Sequence, residues 1–302
     1  MNKVILIDSS GLAFPCIFSH ERQLLQKLES KSDIFIMPSH VIYFYSIISA
    51  LKKIGVDENT QVIIALEGKS WRKNLLASYK SQRADDRAKH ELINWDEEFY
   101  RLNKLHEDLE MSTDWHFVRE WNSECDDIIA VSCRFFKDNE VIVVTGDRDL
   151  HQLAHYPWVK IFNVNKKAKG TKGCYELISN PLKIIADKAK KGDSSDNILI
   201  SEDDEEEDYN LRFQLVNLLE LPDYIENSIR EILSNLPEKQ SNLQYLPKFS
   251  NCKERFLQIY NKEHMITPEY CYSLIEKRKN RKLKKEKIKR EEKKKEKISN
   301  AI

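Results

Sequence analysis

VIVVTGDRDLHQL, residues 141–153, is a run of four aliphatics that stops at Thr145 and Gly146 and is followed at once by Asp147 and Asp149. A short unbroken apolar run closed by a tight turn is the pattern of a strand buried on both faces, as in a parallel sheet. The two carboxylates then stand at the strand's carboxyl end, the edge along which open α/β sheets gather their ligands. Alone, a DxD pair is as readily a helix cap or a solvated turn. Its weight comes from repeats of the same arrangement elsewhere in the chain.

Lys3 to Asp8 and Gln61 to Glu67 are two more apolar runs that end in an acid. Trp115 to Val118 forms a further short strand, after which Ser123 opens a helix with Glu124, Asp126 and Asp127 in its first turn, where acids ordinarily serve the helix dipole. Trp158 to Val164 is another strand, and Pro181 to Lys191 a helix with proline at its first position. That helix leads into an acid-rich turn, Gly192 to Asn197, containing Asp193 and Asp196. Between these pieces, Val41, Phe44, Tyr45, Ile48 and Leu51 recur at helical spacing within Pro38 to Ile54. Leu92, Trp95, Phe99, Leu102, Leu105 and Leu109 do the same, describing a helix packed on the body, with the polar stretch Ser81 to Lys89 freer before it.

The fold class is therefore α/β, a mostly parallel central sheet flanked by helices. Residues Leu211 to Leu236 and Phe256 to Leu274 look helical and predict a small all-α region after the sheet. The chain has 302 residues and equal numbers of basic and acidic side chains, 49 of each, but the balance is uneven. Lys277 to Lys297 carries fourteen Lys or Arg against four Glu, which leaves the remainder net negative by ten. Seven consecutive acids, Glu202 to Asp208, read as a solvated boundary of the sheet domain. The six cysteines show no CxxC pair and no metal-finger spacing, which predicts reduced thiols and a cytoplasmic protein. The apolar run near the start, Val4 to Ile7, is too short for a signal-peptide core or a membrane span.

Asp8, Glu67, Glu124, Asp126, Asp147, Asp149, Asp193 and Asp196 thus converge on one sheet edge. So many carboxylates repel one another unless divalent cations sit among them, and oxygen-only ligands favour magnesium or manganese over zinc. Two such ions about 4 Å apart stabilise the attacking and leaving oxygens of a phosphodiester displacement. Arg72, Lys80 and Arg83 follow Glu67 closely enough to screen a phosphate from these acids, although each could equally be part of a solvated basic helix face.

Four motifs in this order carry a resemblance: WR(x)6YKxxR in residues 71–83, ExDD in 124–127, GDxDLxQL in 146–153 and GDxxDN in 192–197. Together with Asp8 they resemble the flap endonuclease or 5' nuclease family, most closely its T-even phage ribonuclease H branch, over residues 1 to about 198. The resemblance implies a PIN-like 5' nuclease fold with a helical arch, about residues 68–112, over the site. It implies one magnesium ion among Asp8, Glu67, Glu124 and Asp126 and a second among Asp147, Asp149, Asp193 and Asp196, with manganese able to substitute. Lys80 and Arg83 would act catalytically on the scissile phosphate from the base of the arch.

The implied domain order is a catalytic domain over 1–198, a small helical domain over 199–276 and a basic tail over 277–302. The implied substrates are branched, nicked or RNA-primed duplex DNA, with a single-stranded DNA-binding protein as partner. Two departures stand out. Glu67 occupies a position where the family has Asp. After Asn197 the family's glycine-rich duplex clamp is replaced by the acidic, glycine-free stretch 198–208. DNA binding would then fall to the tail, through Lys277, Arg278, Lys279, Arg281 and Lys282 beside Arg72, Lys80 and Arg83. A PIN-type ribonuclease shares the acidic edge but not the length of the arch segment. A catalytically dead junction binder would have no need to keep an acid at every metal position.

Overall fold

The computed structural model describes residues 2–30, 36–57, 59–168, 171–200 and 205–238. In chain order the elements are β1 (Lys3–Asp8), α1 (Ser9–Ser30), α2 (Ser39–Ile54), β2 (Thr60–Leu66), α3 (Arg83–Lys89), α4 (Trp95–Ser112), β3 (His116–Arg119), α5 (Cys125–Phe135), β4 (Glu140–Thr145), β5 (Val159–Ala168), β6 (Thr171–Glu176), α6 (Lys183–Lys191), α7 (Glu206–Val216) and α8 (Asp223–Ser234). The strands form one six-stranded sheet in the order β3-β2-β1-β4-β5-β6. All neighbours pair in parallel except β5 with β6. The chain builds outward from β1 through β2 to β3, then returns to the other side of β1 with β4. Strand order therefore reverses between β1 and β4, and the crevice that such a reversal opens lies between Asp8 and the turn after Thr145.

The unbroken apolar strands are explained by helices on both faces. Ile5, Ile7, Val62, Ile64, Ile142 and Val144 join one core with α1, α2 and α4. Their alternates Val4, Leu6, Ile63, Ala65, Val141 and Val143 join the other with α5 and α8. Each strand alternates between two cores rather than between core and water, so its sequence shows no alternation.

Four expectations need correction. The strand starting near Trp158 does not end the sheet: it continues to Ala168 and folds back as the antiparallel edge strand β6. Its KKAKGTKG segment lacks any apolar rhythm, and Lys166, Lys167 and Lys172 are exposed. The helix predicted from Leu92 begins at Trp95, capped by the Asn94 side chain, which accepts the Glu97 amide at 3.4 Å; Leu92 packs against Leu24 instead. The helix predicted from Pro181 begins at Lys183.

The small helical domain is also not separate over its described part. Leu218, Ile225, Ile229 and Leu233 belong to the second core of the sheet, and the Arg134 guanidinium holds the Glu226 carboxylate across α5 and α8. The rest of that region, including the predicted helix 256–274, lies outside the described residues, as does the tail 277–302.

Within the expected arch, α4 belongs to the body, with Leu102, Leu105 and Leu109 in the first core. α3 buries no residue yet is tied at both ends, Arg83 pairing with Asp196 at 3.0 Å and the Arg87 carbonyl accepting the Trp95 indole at 2.9 Å. Among the described residues no helix is long and apolar enough to cross a membrane.

Candidate functional site

Asp8 ends β1 and is 1% exposed. Its carboxylate accepts the Gly11 amide at 2.7 Å, which caps α1, and the Thr145 hydroxyl at 2.6 Å, which ties β1 to the end of β4. A Cβ at position 11 would stand 2.0 Å from the Asp8 Oδ2, so only glycine allows this approach. Burial raises the Asp8 carboxyl above the usual range, against the pull of its hydrogen bonds. Glu67, one residue past β2, accepts the Ser10 hydroxyl at 3.0 Å and the Cys125 amide at 3.2 Å.

The ExDD acids at the start of α5 have three different surroundings. Asp127 is fully buried and accepts from both terminal nitrogens of Arg72 at 2.8 and 3.0 Å, from the Trp71 indole at 3.1 Å and from the Glu124 amide at 3.0 Å. Glu124 accepts from Arg72 at 3.1 Å, the Tyr79 hydroxyl at 3.1 Å and Lys80 at 2.5 Å. Burial works to raise the Glu124 carboxyl, but Lys80 and Arg72 overcome it and hold the group below its ordinary range. Asp126 has no hydrogen-bond donor among the described residues. Burial, and then the charges of Asp8 and Asp147, push its carboxyl well above the usual range. A carboxylate placed among other carboxylates without a donor is an acceptor suited to a cation.

Across the crevice, carboxylate oxygens of Asp149, Asp193 and Asp196 lie within 4.8 Å of one another. The Lys188 ammonium sits between Asp149, at 2.5 Å, and Asp193. It lowers the Asp193 carboxyl against the effect of burial, whereas burial wins at Asp149, which is raised. Asp147 does not join this cluster; its carboxylate accepts the Asp149 amide at 2.9 Å and turns that acid inward. Its charge acts on Asp8 and Asp126 as well as on Asp149, so it stands between the two groups. Asp196 in turn faces the Glu124 side, accepting the Tyr79 hydroxyl at 3.2 Å and Arg83 at 3.0 Å, with Lys80 at 3.8 Å.

The arch base is stapled to the turn that carries Asp193 and Asp196. The Lys80 amide donates to the Asp196 carbonyl at 2.9 Å, and the Gln82 side chain donates to the carbonyls of Ser194 and Ser195. The Asn197 side chain returns to the Ser78 carbonyl and the Ser81 hydroxyl. Lys80 and Asn197 both have left-handed backbones, with φ of 55° and 57°. For a lysine this conformation costs about 1–2 kcal/mol, offset here by hydrogen bonds from its amide and its ammonium.

Lys80 and Arg83 thus stand at the acids, paired with Glu124 and Asp196. Arg72 does not face a phosphate: it is 2% exposed, and its Nε donates to the Leu215 carbonyl at 2.7 Å while its other nitrogens hold Asp127 and Glu124. Its expected place among the nucleic-acid contacts is corrected to a buried link between α7 and the acids of α5. The tail residues Lys277, Arg278, Lys279, Arg281 and Lys282 lie outside the described residues.

Sequence reasoning missed Lys188, which lies in the last turn of α6 and reads as an ordinary cation at a helix C-terminus. It also missed Gln152, whose amide donates to the carbonyls of Asp149 and Val216 while its oxygen accepts from Leu218. The QL ending of the GDxDLxQL motif was the available signal.

Residues 3–179 match the family of the 5'-3' exonuclease N-terminal, resolvase-like domain. A 5'-3' exonuclease of Mycoplasmopsis pulmonis is 29% identical over 160 residues, 52% of this chain and 50% of the relative. The match thus spans about half the length of that curated relative. Among solved structures, a bacteriophage T5 flap endonuclease in complex with DNA and metal ions is 20% identical with a TM-score of 0.47, covering 90% of this chain and 92% of that one. The T5 5'-exonuclease with zinc bound is 21% identical with a TM-score of 0.46, covering 90% and 92%. The catalytic core of Rad2 in complex with a DNA substrate is 13% identical with a TM-score of 0.37, covering 91% and 86%.

Proposed function

The chain belongs to the family of the 5'-3' exonuclease N-terminal domain, and from that premise we propose that it is a magnesium-dependent, structure-specific 5' nuclease. It hydrolyses phosphodiester bonds near 5' ends or junctions of branched, nicked or RNA-primed duplex DNA, in replication or repair within the cytoplasm. The observation that carries this reading is the crevice between β1 and β4. There acids of two groups, Asp8 with Asp126 and Asp149 with Asp193 and Asp196, face one another beside two cations, Lys80 and Arg83.

The residues fit divalent ions. The donor set is all oxygen, Asp126 has no hydrogen-bond donor among the described residues, and the Lys188 ammonium already occupies a cation's place between Asp149 and Asp193. Asp8, Glu67, Glu124 and Asp126 would hold one ion and Asp147, Asp149, Asp193 and Asp196 the other, with manganese an effective substitute. When bound, such ions supply charge stabilisation at the attacking and leaving oxygens.

The chain's own residues account for the rest. Lys80 and Arg83 turn from their carboxylates to a phosphate placed in the crevice and hold it in line, an electrostatic contribution that grows as charge builds on the phosphorus oxygens. Tyr79, whose phenol burial drives far above its ordinary range, stays protonated and shares its single hydroxyl proton between Glu124 and Asp196, bridging the two. The basic tail is the proposed tether to duplex phosphates, and a single-stranded DNA-binding protein the proposed partner.

End-labelled 5'-flap, forked, nicked and RNA-primed duplexes, incubated first with magnesium and then with calcium, test the reading. Short 5' products that appear only with magnesium and only at junctions or 5' ends are expected. Intact substrates in every case would overturn it.

A further inference from the structure

Beside Glu67 and Glu124 opens a cavity of about 550 Å³. One wall belongs to the site already described, through Glu67, Glu124, Lys80 and Arg83; the other does not. It consists of Lys69 and Lys73 from the turn after β2, Arg87 from α3, and Tyr224 from the first turn of α8. Lys80 and Arg83 pair with carboxylates in this structure and are already assigned to the scissile phosphate, whereas Lys69, Lys73 and Arg87 form no ion pair among the described residues. Three uncommitted cations beside a dense group of acids are not explained by mutual neutralisation, since the acids draw on Arg72, Lys80, Arg83 and Lys188 instead.

Tyr224 needs the same scrutiny. It is 58% exposed although the next residue, Ile225, is 1% exposed in the second core. The ring is therefore carried to this rim on a well-anchored helix, yet the packing makes little use of it. An aromatic face held open beside unpaired cations has the two features of a single-strand nucleic-acid subsite, a platform for a base and positive charge for the backbone. The volume is that of a small-ligand site, room for roughly one or two nucleotides and too little for a duplex.

Building on the nuclease reading, we propose that this cavity receives the single strand that adjoins the scissile phosphate, with Tyr224 stacking on one base and Lys69, Lys73 and Arg87 taking the neighbouring phosphates. Tyr224 lies beyond residues 3–179, so this contact comes from a part of the chain that the family match does not reach.

The test is an equilibrium one on the full chain, with calcium present and a fluorescent duplex bearing a single-stranded 5' arm, in which one abasic site is walked along the arm. At one position the abasic site should weaken wild-type binding by roughly five- to a hundredfold, the range of a single base–aromatic stack. Tyr224→Ala should weaken binding of the intact arm by a similar factor and respond no further to the abasic site, while Tyr224→Trp should restore both. Lys69→Gln with Lys73→Gln should reduce the slope of log affinity against log salt by roughly 0.7 for each phosphate lost. An abasic scan without effect at any position, or a Tyr224→Ala protein of wild-type melting temperature that binds and discriminates as the wild type does, would overturn the proposal. Cleavage does not enter these measurements, so a chain that failed to cut any duplex would sink the nuclease reading without deciding this one.

Discussion

The two halves of the acidic crevice are built from the same residue type in opposite ways. On the Glu124 side the acids are part of the framework: Arg72 and Lys80 are held by Glu124, Arg72 again by Asp127, and Arg72 carries the contact on to the Leu215 carbonyl of α7. On the Asp149 side a half-buried lysine from α6 neutralises two acids, of which Asp193 also accepts the Ser195 amide and hydroxyl within its own turn. Glu124 therefore ties Arg72, Tyr79 and Lys80 to the start of α5, whereas among the described residues Asp149 and Asp193 meet only α6 and groups of their own turns. Asp126 sits in the first half but differs from both, having no hydrogen-bond donor among the described residues.

The largest effect should fall on chemistry and treat both halves alike. Asp126→Asn and Asp149→Asn are each expected to slow single-turnover cleavage by roughly a thousandfold or more while leaving DNA affinity near wild type, since on the proposed assignment each removes a cation ligand and no phosphate contact. Asp126→Asn should also raise the melting temperature of the metal-free protein, because it removes a carboxylate disfavoured first by burial and then by the charges of Asp8 and Asp147. Wild-type cleavage rates in either variant would break the symmetry on which the comparison rests.

Stability should then separate the halves. Glu124→Ala leaves Arg72 and Lys80 short of a buried partner and is expected to cost about 3–5 kcal/mol in urea unfolding. Asp149→Ala should cost far less, and equal losses would erase the distinction. Divalent cations come next in size. Magnesium at a hundredfold excess over its dissociation constant should add about 2.7 kcal/mol for one site, and calorimetry should find less of this in Asp149→Asn than in wild type. Smallest of all, Lys188→Met should change metal-free stability by within about 1 kcal/mol, because its ion pairs are a quarter exposed and water screens them. A loss several times larger would place Lys188 in the framework with Arg72.

What the sequence made readable follows from the same difference. Strands β1, β2 and β4 and the acids after them stand out because a run such as Val141 to Val144 has to be apolar throughout to lie between two cores. Lys80 and Arg83 stand out because their motif spacing is rigid. Arg72 did not, since a buried arginine and a phosphate-binding one have the same letter, and only Leu215, far away in sequence, tells them apart. Lys188 was hidden by its place at a helix end, and β6 by its place at the sheet edge, where Lys172 and Tyr175 are exposed and no apolar run is required. Helices α7 and α8 read as a separate unit because the acids before them mark a loop, and nothing local reveals that Ile225 and Ile229 complete the sheet's second core.

The staple between residues 78–83 and 193–197 also bears on how this chain can change. Gln82 and Lys80 grip carbonyls of the second segment and Asn197 grips the first, so each segment's backbone is shaped by the other's side chains. A chimera that imports the arch base of a relative without its partner turn would set an unsupported left-handed residue at position 80. Exchange of the two segments together keeps the match, and evolutionary drift in one segment should be followed by compensating change in the other, although more than a hundred residues separate them.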